Sequence, residues 1–170
     1  VITNLYQDHL SRHGTMEEYA LTKANIFKNQ TEDDFLILNK DNEWTEFFLN
    51  QKPKAKIVFS SDQTDKRNSF SYSRELENKL GKHNLQNFLM AASACQVLGV
   101  SEEDIIKSLE TLPQIKWREE LVYEKGDLKI YNDTAATSGE ATISAVERFK
   151  KDGEKLVLIA GGTDRELDFT

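Results

Sequence analysis

Apolar residues are grouped along the chain in short runs that alternate with polar, helix-forming segments. Residues 1–5 are largely β-branched or apolar and are followed at once by polar loop residues, which is typical of the end of a buried strand. Two further apolar runs, residues 34–38 and 55–60, predict short strands. Strands that alternate with helical segments indicate an α/β fold.

Capping residues predict where the helices of the first half begin. Thr15 is followed three residues later by Glu18, which makes a capping box, and a helical pattern continues to Ile26. We therefore expect a helix of about three turns. Asp41 is placed to cap a second helix that carries three aromatic residues, Trp44, Phe47 and Phe48.

The longest helical pattern lies in the middle of the chain, at residues 81–98. Gly99 follows it and predicts a C-terminal cap. Ser101 with Asp104 predicts the cap of a further helix, which we expect to end near Leu112.

Two other stretches have β character. Residues 61–79 are polar and charged, and the alternation of Phe70 and Tyr72 predicts an edge strand there. Residues 120–132 predict a hairpin that turns at residues 125–127.

The last stretch of the chain has the pattern of a helix followed by a strand. Thr137 and Glu140 form a second capping box, ahead of an amphipathic helix that runs to Phe149. The apolar residues 156–160 and the pair Gly161-Gly162 then predict a parallel strand and its turn. Together with the hairpin, this pattern predicts a βαβ unit of Rossmann type.

Composition narrows the class of protein. The net charge is −7 with Lys and Arg dispersed among Asp and Glu, so we expect a soluble acidic protein and no nucleic-acid partner. No apolar run has the length of a transmembrane helix or the form of a signal peptide, so we expect no membrane partner. Cys95 is the only cysteine, which fits a reduced, cytoplasmic setting. We expect a monomer, and Val1 in place of Met indicates an internal piece of a longer protein.

Ionisable residues follow the first predicted strand. Asp8 and His9 lie just beyond its carboxyl end, where open α/β sheets bind ligands, and the next helix carries Lys23 back toward that loop. On these residues alone the simpler interpretation is that Lys23 lies on a helix surface and His9 caps a loop.

The run DHLSRHGTMEEYALTK, residues 8–23, resembles the Mur ligases, ATP-dependent enzymes that add amino acids to the peptidoglycan precursor. The resemblance implies that His9 binds Mg²⁺ and that Lys23 is carbamylated and helps to hold the ion. The chemistry is consistent, since only a neutral amine takes up carbon dioxide, and the carbamate supplies the oxygen ligands that Mg²⁺ favours.

Two further motifs support the same resemblance. Residues 81–92, GKHNLQNFLMAA, are similar to the family's G-x-H-N-x-x-N-x-x-A-A motif, which implies that Asn84 and Asn87 reach the adenine of ATP. On the residues alone, a capping Asn84 and a solvent-facing Asn87 are an equal alternative. Arg118 matches an arginine that contacts the γ-phosphate, although Lys116-Trp117 departs from the Pro-His that often precedes it.

The segment NDTAAT, residues 132–137, resembles the branch of the family that adds D-glutamate. It implies that Asp133 contacts the ribose and that Thr137 helps to bind D-glutamate. Ala135 stands where a substrate-contacting lysine is frequent, so that contact is in doubt. Arg165 takes the place of a lysine that binds a carboxylate of D-glutamate, and a guanidinium can do so bidentately.

These matches imply an α/β chain in two parts. Residues 1–112 are expected to be the later part of a P-loop-type central ATPase domain, and residues 113–170 the start of a Rossmann-like C-terminal domain. The implied cofactors are ATP and Mg²⁺, and the implied small-molecule substrates are UDP-N-acetylmuramoyl-L-alanine and D-glutamate. Because these residues contain no G-x-x-G-K-[ST] phosphate loop, we expect this piece alone to be inactive.

Three other interpretations stay open. A sister amide ligase, such as another Mur member or a folylpolyglutamate synthase, would keep the His9 and Lys23 site. A metal hydrolase would use Asp8, His9 and His13. A non-catalytic nucleotide-binding paralogue has only Ala135 in its favour.

Overall fold

A strand-end segment opens the chain. The computed structural model describes residues 1–8, 10–61, 80–150 and 155–162. Ile2 forms a parallel bridge with Leu38, and its N–H donates to the Ile37 carbonyl at 2.9 Å. The strand predicted at residues 1–5 is therefore reduced to one bridge. Asn42 instead donates its side-chain amide to the Leu5 carbonyl at 3.3 Å, so a side chain takes the place of a ladder bond.

Two helices follow the strand-end loop. Helix α1 (Leu10–His13) is a single turn, and helix α2 (Met16–Ala24) continues into a 3-10 turn at Asn25–Phe27. The predicted cap is confirmed, since the Glu18 N–H donates to Thr15 Oγ1 at 3.1 Å.

Two parallel strands form the centre of the first half. Strand β1 (Phe35–Asn39) pairs with β2 (Lys56–Ser60) along its whole length, and helix α3 (Thr45–Asn50) connects them. Both predicted strands are thus confirmed. The connection is a crossover through a helix, as parallel pairing requires.

The cap that we predicted for α3 is wrong. The helix has Trp44 at its N-cap position with no side-chain cap, and Asp41 lies three residues further back. The Asp41 carboxylate accepts from Ser61 Oγ at 2.7 Å instead. Asn42 holds the turn before α3, since its Oδ1 accepts from the Trp44 N–H. The side chain that bonds the backbone at the start of this helix is therefore that of Asn42 and not that of Asp41.

The main hydrophobic core lies between β1 and the helices α2 and α3. Leu36 and Leu38 share one face of β1 and join a buried cluster. The other members of that cluster are Leu5, Tyr19, Ala20, Ala24, Phe27, Phe48 and Ala55.

Helix α4 (Lys82–Val97) packs against both parallel strands, on the face opposite to this core. Strand β1 is therefore covered on both sides, which explains why it is apolar almost throughout. The helix ends as predicted. Gly99 has φ +84°, its N–H donates to the Gln96 carbonyl, and the Val100 N–H donates to the Cys95 carbonyl. This is a Schellman motif, which needs a residue that tolerates positive φ.

Helix α5 (Glu102–Ser108) begins with the predicted cap, because the Asp104 N–H donates to Ser101 Oγ. It ends at Ser108 rather than near Leu112. The chain continues beyond it in tighter i to i+3 turns, as at Leu109, whose N–H donates to the Ile106 carbonyl.

The second half contains an antiparallel hairpin and a helix. Strand β3 (Glu120–Lys125) pairs with β4 (Leu128–Asn132) across the turn at Gly126, as predicted. Helix α6 (Gly139–Phe149) follows, and the ring of Phe149 stacks on Tyr131 with centroids 4.0 Å apart.

The predicted start of α6 is off by one residue. Ser138, not Thr137, is the N-cap, and its Oγ accepts from the Ala141 N–H at 3.3 Å. Thr137 is exposed and lies outside the helix. Both hydroxyls precede helical residues, so sequence spacing alone did not distinguish them.

The strand predicted at residues 156–160 is wrong. Residues 155–162 have no strand pairing, and Ile159 is 93% exposed. Among the described residues there is no neighbouring strand to take up their backbone hydrogen bonds, and a run of apolar residues alone does not make a sheet. The edge strand predicted around Phe70 and Tyr72 lies outside the described residues.

The described residues thus form a mixed α/β structure with one parallel and one antiparallel strand pair. Among them, no helix is long and apolar enough to cross a bilayer.

Candidate functional site

Buried asparagine side chains organise the carboxyl end of β1. Asn39 is 4% exposed, and its Nδ2 donates to Asn4 Oδ1 at 2.7 Å while its Oδ1 accepts from the Asp41 N–H at 2.9 Å. Together with Asn42, which holds the Leu5 carbonyl, it ties the segment before Asp8 to the end of the sheet. The strand-end loop is therefore fixed by hydrogen bonds rather than by a β ladder.

A small cleft opens beside these residues, between the ends of β1 and β2 and helix α4. Its volume is about 130 Å³ including open solvent, and it is lined by Asn39, Ser60, Ser61, Gln86, Leu89 and Met90. Pockets that enclose a cofactor are usually several times larger. The cleft is therefore too small to enclose a ligand by itself.

Lys23 is exposed on helix α2, with its Nζ 5.3 Å from the centroid of the Tyr19 ring. The ring of His13 stacks on the same Tyr19 ring, with the two centroids 5.0 Å apart. His9 lies outside the described residues, so the predicted convergence of His9 and Lys23 stays a prediction.

The described residues do not form a metal site by themselves. None of their His, Cys, Asp and Glu side chains come together in a group of three that could hold an ion. An unmodified ammonium cannot ligate Mg²⁺, which prefers oxygen donors, so Lys23 fits the ion only as a carbamate. Its exposed position leaves room for that modification.

A second cluster lies where helix α4 meets the segments on either side of the hairpin, with Glu119 at its centre. Asn84 Nδ2 donates to Glu119 Oε2 at 3.2 Å and to the Leu80 carbonyl at 3.1 Å. The Glu119 N–H donates to Asp133 Oδ1 at 3.0 Å. One residue therefore links Asn84 and Asp133, two side chains that we predicted to contact the same ligand.

The backbone at Glu119 has an unusual conformation. Glu119 has φ +46° and Trp117 has φ +64°, in the left-handed region that non-glycine residues seldom adopt. The Ala135 N–H donates to the Trp117 carbonyl at 2.9 Å, so this turn is tied to the segment after β4 by two hydrogen bonds. Strained backbone that is held in this way is frequent at functional sites.

Arg148 of helix α6 completes the cluster. Its Nη1 donates to Glu119 Oε2, and the side chain of Glu119 is only 11% exposed. Burial lowers the pKa of the Arg148 guanidinium, which nevertheless stays charged at neutral pH because an arginine titrates so far above it. Its stem covers Gly81, where an added Cβ would lie 2.9 Å from Arg148 Cδ.

The other predicted site residues are placed differently. Asn87 is half-buried on α4, three positions after Asn84 and so on the same side of the helix. Asn84 does not cap the helix, because the N-cap is Gly81. Arg118 is half-buried in the turn before the hairpin, and its N–H donates to the Ile115 carbonyl at 3.3 Å. Arg165 lies outside the described residues.

The structure thus brings Asn84 and Asp133 together, and it does so through a residue that the sequence did not single out. Glu119 contacts Asn84, Asp133 and Arg148 at separations of 35, 14 and 29 residues. No local pattern predicts contacts at such separations. The amide of Asn84 and the carboxylate of Asp133 nevertheless suit a nucleoside, since an amide can pair with a base edge and a carboxylate accepts from ribose hydroxyls.

The fold and this arrangement define a class: an α/β protein with polar side chains at the ends of a parallel strand pair and a second polar cluster beside the next helix. The chain belongs to the Mur ligase family. The sequence profile of the Mur ligase middle domain matches residues 1–95, more than half of its length.

Relatives match almost the whole chain. The protein named UDP-N-acetylmuramoylalanine--D-glutamate ligase from Ligilactobacillus salivarius is 39% identical over 183 residues, which cover 99% of this chain and 39% of that protein. The protein of the same name from Listeria monocytogenes is 38% identical over 181 residues, with 99% and 39% covered. The chain therefore spans about two fifths of the length of these relatives.

A solved structure has a similar fold. The crystal structure of MurF from Acinetobacter baumannii superposes with a TM-score of 0.72 and covers 86% of this chain and 36% of that one, at 19% sequence identity. This likeness shows that the chain has the fold of that part of a Mur ligase.

Proposed function

We propose that the protein to which this chain belongs is an ATP-dependent amide ligase that adds D-glutamate to UDP-N-acetylmuramoyl-L-alanine. The observation that carries the proposal is the match over 99% of the chain, at 38–39% identity, to relatives named for that ligation. The cluster of Asn84, Glu119 and Asp133 supports it, because it assembles the polar groups that a nucleoside requires.

The reaction proceeds in two steps. The γ-phosphoryl group of ATP passes to the substrate carboxylate, which gives an acyl phosphate and ADP. The neutral amine of D-glutamate then attacks the carbonyl carbon, a C–N bond forms, the bond from that carbon to the phosphate oxygen breaks, and phosphate leaves. The amine loses its proton as the amide forms. Such chemistry depends on positioning and on neutralising phosphate charge rather than on a covalent nucleophile of the protein.

Each predicted residue has a role in this scheme. Asn84 and Asn87 contact the base, Asp133 accepts from the ribose hydroxyls, and the guanidinium of Arg118 neutralises charge on the γ-phosphate. His9 and a carbamylated Lys23 would hold Mg²⁺, which when bound stabilises the charge of the phosphate oxygens.

The amino acid is bound by the segments after the hairpin. Thr137 offers a hydroxyl, and Arg165 binds a carboxylate of D-glutamate. Ala135 has only a methyl group as its side chain, so the substrate contact that the family resemblance implies for a lysine at this position has to come from elsewhere.

We place the boundary between two domains at residues 112–113. The first belongs to a P-loop-type central ATPase domain and the second begins a Rossmann-like domain. The coil at residues 112–115, between the last helix of the first part and the hairpin, supports this division. We also propose that the enzyme is monomeric and cytoplasmic; the single cysteine of this sequence, Cys95, fits a reduced compartment.

The test is turnover by the full-length protein. ADP release should require both UDP-N-acetylmuramoyl-L-alanine and D-glutamate, and L-glutamate, L-lysine and diaminopimelate should not replace D-glutamate. Preference for another acceptor would instead indicate a sister ligase. The 170-residue chain, which lacks a G-x-x-G-K-[ST] loop, should release no ADP under the same conditions.

A further inference from the structure

We infer that the ion pair of Glu119 and Arg148 is a clamp that holds the proposed second domain, residues 113–170, on the first turn of helix α4. The inference rests on the proposed function, because the clamp brings together Asn84 and Asp133, proposed nucleotide contacts that belong to different domains. It makes Arg148 a positioning residue, since its guanidinium acts through Glu119.

Both members of the ion pair contact the start of helix α4. The stem of Arg148 lies over Gly81, where an added Cβ would be 2.9 Å from Arg148 Cδ. Glu119 Oε2 accepts from Asn84 Nδ2 at 3.2 Å. The Leu80 carbonyl accepts from the same nitrogen at 3.1 Å, so the Asn84 amide is a fixed point of the first domain to which Glu119 attaches. The two domains are therefore joined within one helical turn.

Water is largely excluded from this ion pair. The side chain of Glu119 is 11% exposed and that of Arg148 is 27% exposed. The Lys129–Glu124 pair of the hairpin differs, with side chains that are 47% and 50% exposed. An exposed pair contributes little, whereas loss of one partner from a buried pair leaves a charge that is poorly solvated. Removal of the Arg148 guanidinium should therefore drive the Glu119 carboxylate outward into water.

The turn that carries Glu119 should move with its side chain. Glu119 has φ +46° and Trp117 has φ +64°, and such a conformation persists only where surrounding contacts hold it. The carboxylate of Glu119 makes two of these contacts, to Asn84 and Arg148. Its N–H makes a third, to Asp133 Oδ1 at 3.0 Å. Once the carboxylate has turned outward, we expect the turn to relax and to release Asp133.

The clamp should also affect the affinity for a nucleotide. Asn84 belongs to the first proposed domain and Asp133 to the second, and Glu119 links them. A ligand that binds side chains of two domains gains affinity when the domains are already held in place, since less freedom is lost on binding. We therefore expect loss of the clamp to free the segment between the domains and to weaken nucleotide binding.

The experiment is limited trypsin digestion of the full-length protein, with the fragments identified by mass spectrometry. Trypsin can cleave between the domains after Lys116 and Arg118, and cleavage after Lys125 in the hairpin turn is the internal reference. Arg148→Met keeps a stem that can cover Gly81 but has no guanidinium. In this variant the ratio of interdomain to hairpin cleavage should rise by about tenfold or more.

A second substitution separates the buried charge from the lost contact. In Arg148→Met/Glu119→Gln the buried group is neutral, and its carboxamide oxygen can still accept from Asn84. The cleavage ratio should therefore return to within about threefold of the wild type. Lys129→Met is the matched control, because it breaks the exposed pair with Glu124 and should leave the ratio unchanged.

Gly81→Ala disturbs the clamp from the side of helix α4, because the added Cβ displaces Arg148. Gly99→Ala is its control at the other end of the same helix. Gly99 has φ +84°, close to the +75° of Gly81, but no atom of the described residues lies within 4 Å of an added Cβ there. Gly81→Ala should raise the cleavage ratio and Gly99→Ala should not. These two variants decide if Arg148→Met does not fold.

Titration calorimetry with ADP connects the clamp to the proposed function. Arg148→Met should bind ADP about tenfold more weakly than the wild type, and Lys129→Met should bind it equally well. Failure of the wild type to bind ADP would overturn the proposed function, and the digestion would still decide whether the clamp exists.

Two results would overturn the inference. The first is a cleavage ratio in Arg148→Met that equals that of the wild type, either because nothing changes or because all sites are cleaved faster alike, as general destabilisation predicts. The second is equal ADP affinity in Arg148→Met and the wild type despite faster interdomain cleavage.

Discussion

Single buried polar residues hold the two clusters of this protein together. Asn39 uses its side-chain donor, its side-chain acceptor and its backbone carbonyl, the last as acceptor for the Thr45 hydroxyl. Glu119 connects three distant segments in the same way. A buried polar group is costly unless it is paired, so each of these residues stabilises only the one arrangement that satisfies it.

At the scale of the residue, a substitution at Gly81 tests how much the packing around Glu119 and Arg148 contributes to stability. Gly81→Ala introduces a Cβ at φ +75° and 2.9 Å from Arg148 Cδ, so the backbone is strained and Arg148 must move from Glu119. We expect the free energy of unfolding to fall by about 1–3 kcal/mol. The measurement is the midpoint of thermal unfolding of the full-length protein.

Gly139→Ala is the control for this prediction. Gly139 begins α6, and an added Cβ there would have no atom within 4 Å. Alanine is the better helix former, so this change should be neutral or slightly stabilising. Equal melting temperatures for the two variants would show that the packing of Arg148 over Gly81 contributes nothing to the stability of the folded protein.

At the scale of the element, the turn that leads into β1 depends on a carboxylate. Asp34 Oδ2 accepts from the Thr31 N–H at 2.7 Å and from its hydroxyl at 3.0 Å. These bonds, the backbone one first, hold the pKa of Asp34 below its ordinary value of 3.8. A lowered pKa in the folded state gives stability that is present above that ordinary value and is lost as the pH falls through the folded one.

We therefore expect Asp34→Asn to be less stable than the wild type at neutral pH, with the difference shrinking as the pH falls below 3.8. The measurement is the melting temperature from pH 7 to pH 3. Asp33→Asn is the control, because only the backbone N–H of Asp33 takes part in the hydrogen bonds of this turn. A difference that grows in acid would contradict the assigned direction.

The start of α6 allows stability to be separated from substrate binding. Ser138→Ala removes the N-cap bond to Ala141 and should lower the free energy of unfolding by about 1 kcal/mol. Thr137→Ala, one residue earlier, should leave the melting temperature unchanged and raise KM for D-glutamate, by about tenfold for one lost hydrogen bond. The reverse pattern would restore Thr137 as the cap and remove it from the proposed substrate site.

At the scale of the whole molecule, Lys23 should matter for activity and not for stability. It is exposed, and its ring contact in the described part of the chain is with Tyr19. Lys23→Arg keeps a positive charge on a long stem but cannot form the proposed carbamate. We expect kcat of the full-length protein to fall by about 100-fold or more.

The melting temperature of Lys23→Arg should stay within a degree or so of the wild type, since exposed substitutions usually have small effects. Lys28→Arg, on the exposed turn after the helix, is the control for a general effect of arginine. Full turnover in Lys23→Arg would exclude a carbamylated lysine from the mechanism.

Local hydrogen bonds were the most predictable part of the structure. The caps at Thr15, Ser101 and Gly99 were predicted and are present, because each closes within five residues of the chain. Strands β1 and β2 were predicted as well, since residues that are buried on both faces leave a continuous apolar run. The family, too, follows from motifs that are contiguous in the sequence.

Other features could not be predicted from the sequence and were seen only in the folded structure. Residues 156–160 are as apolar as β1 but form no strand, because a strand also requires a neighbour that no local pattern supplies. Asn84 and Asp133 were named from motifs, but nothing in the sequence showed that they meet. The residue that joins them, Glu119, is unremarkable among the charged residues around it.

The sequence by itself therefore determined the caps at Thr15, Ser101 and Gly99, the central strands, the family and the candidate residues, since each depends on neighbours along the chain. Only the tertiary structure decided that Asn39 anchors the strand-end loop and that Glu119 links Asn84, Asp133 and Arg148. These contacts join segments up to 35 residues apart. A polar side chain that is removed from water must find a hydrogen-bond partner, because leaving it unpaired is costly. Which side chains are removed from water, and which groups lie beside them, depends on the folded chain.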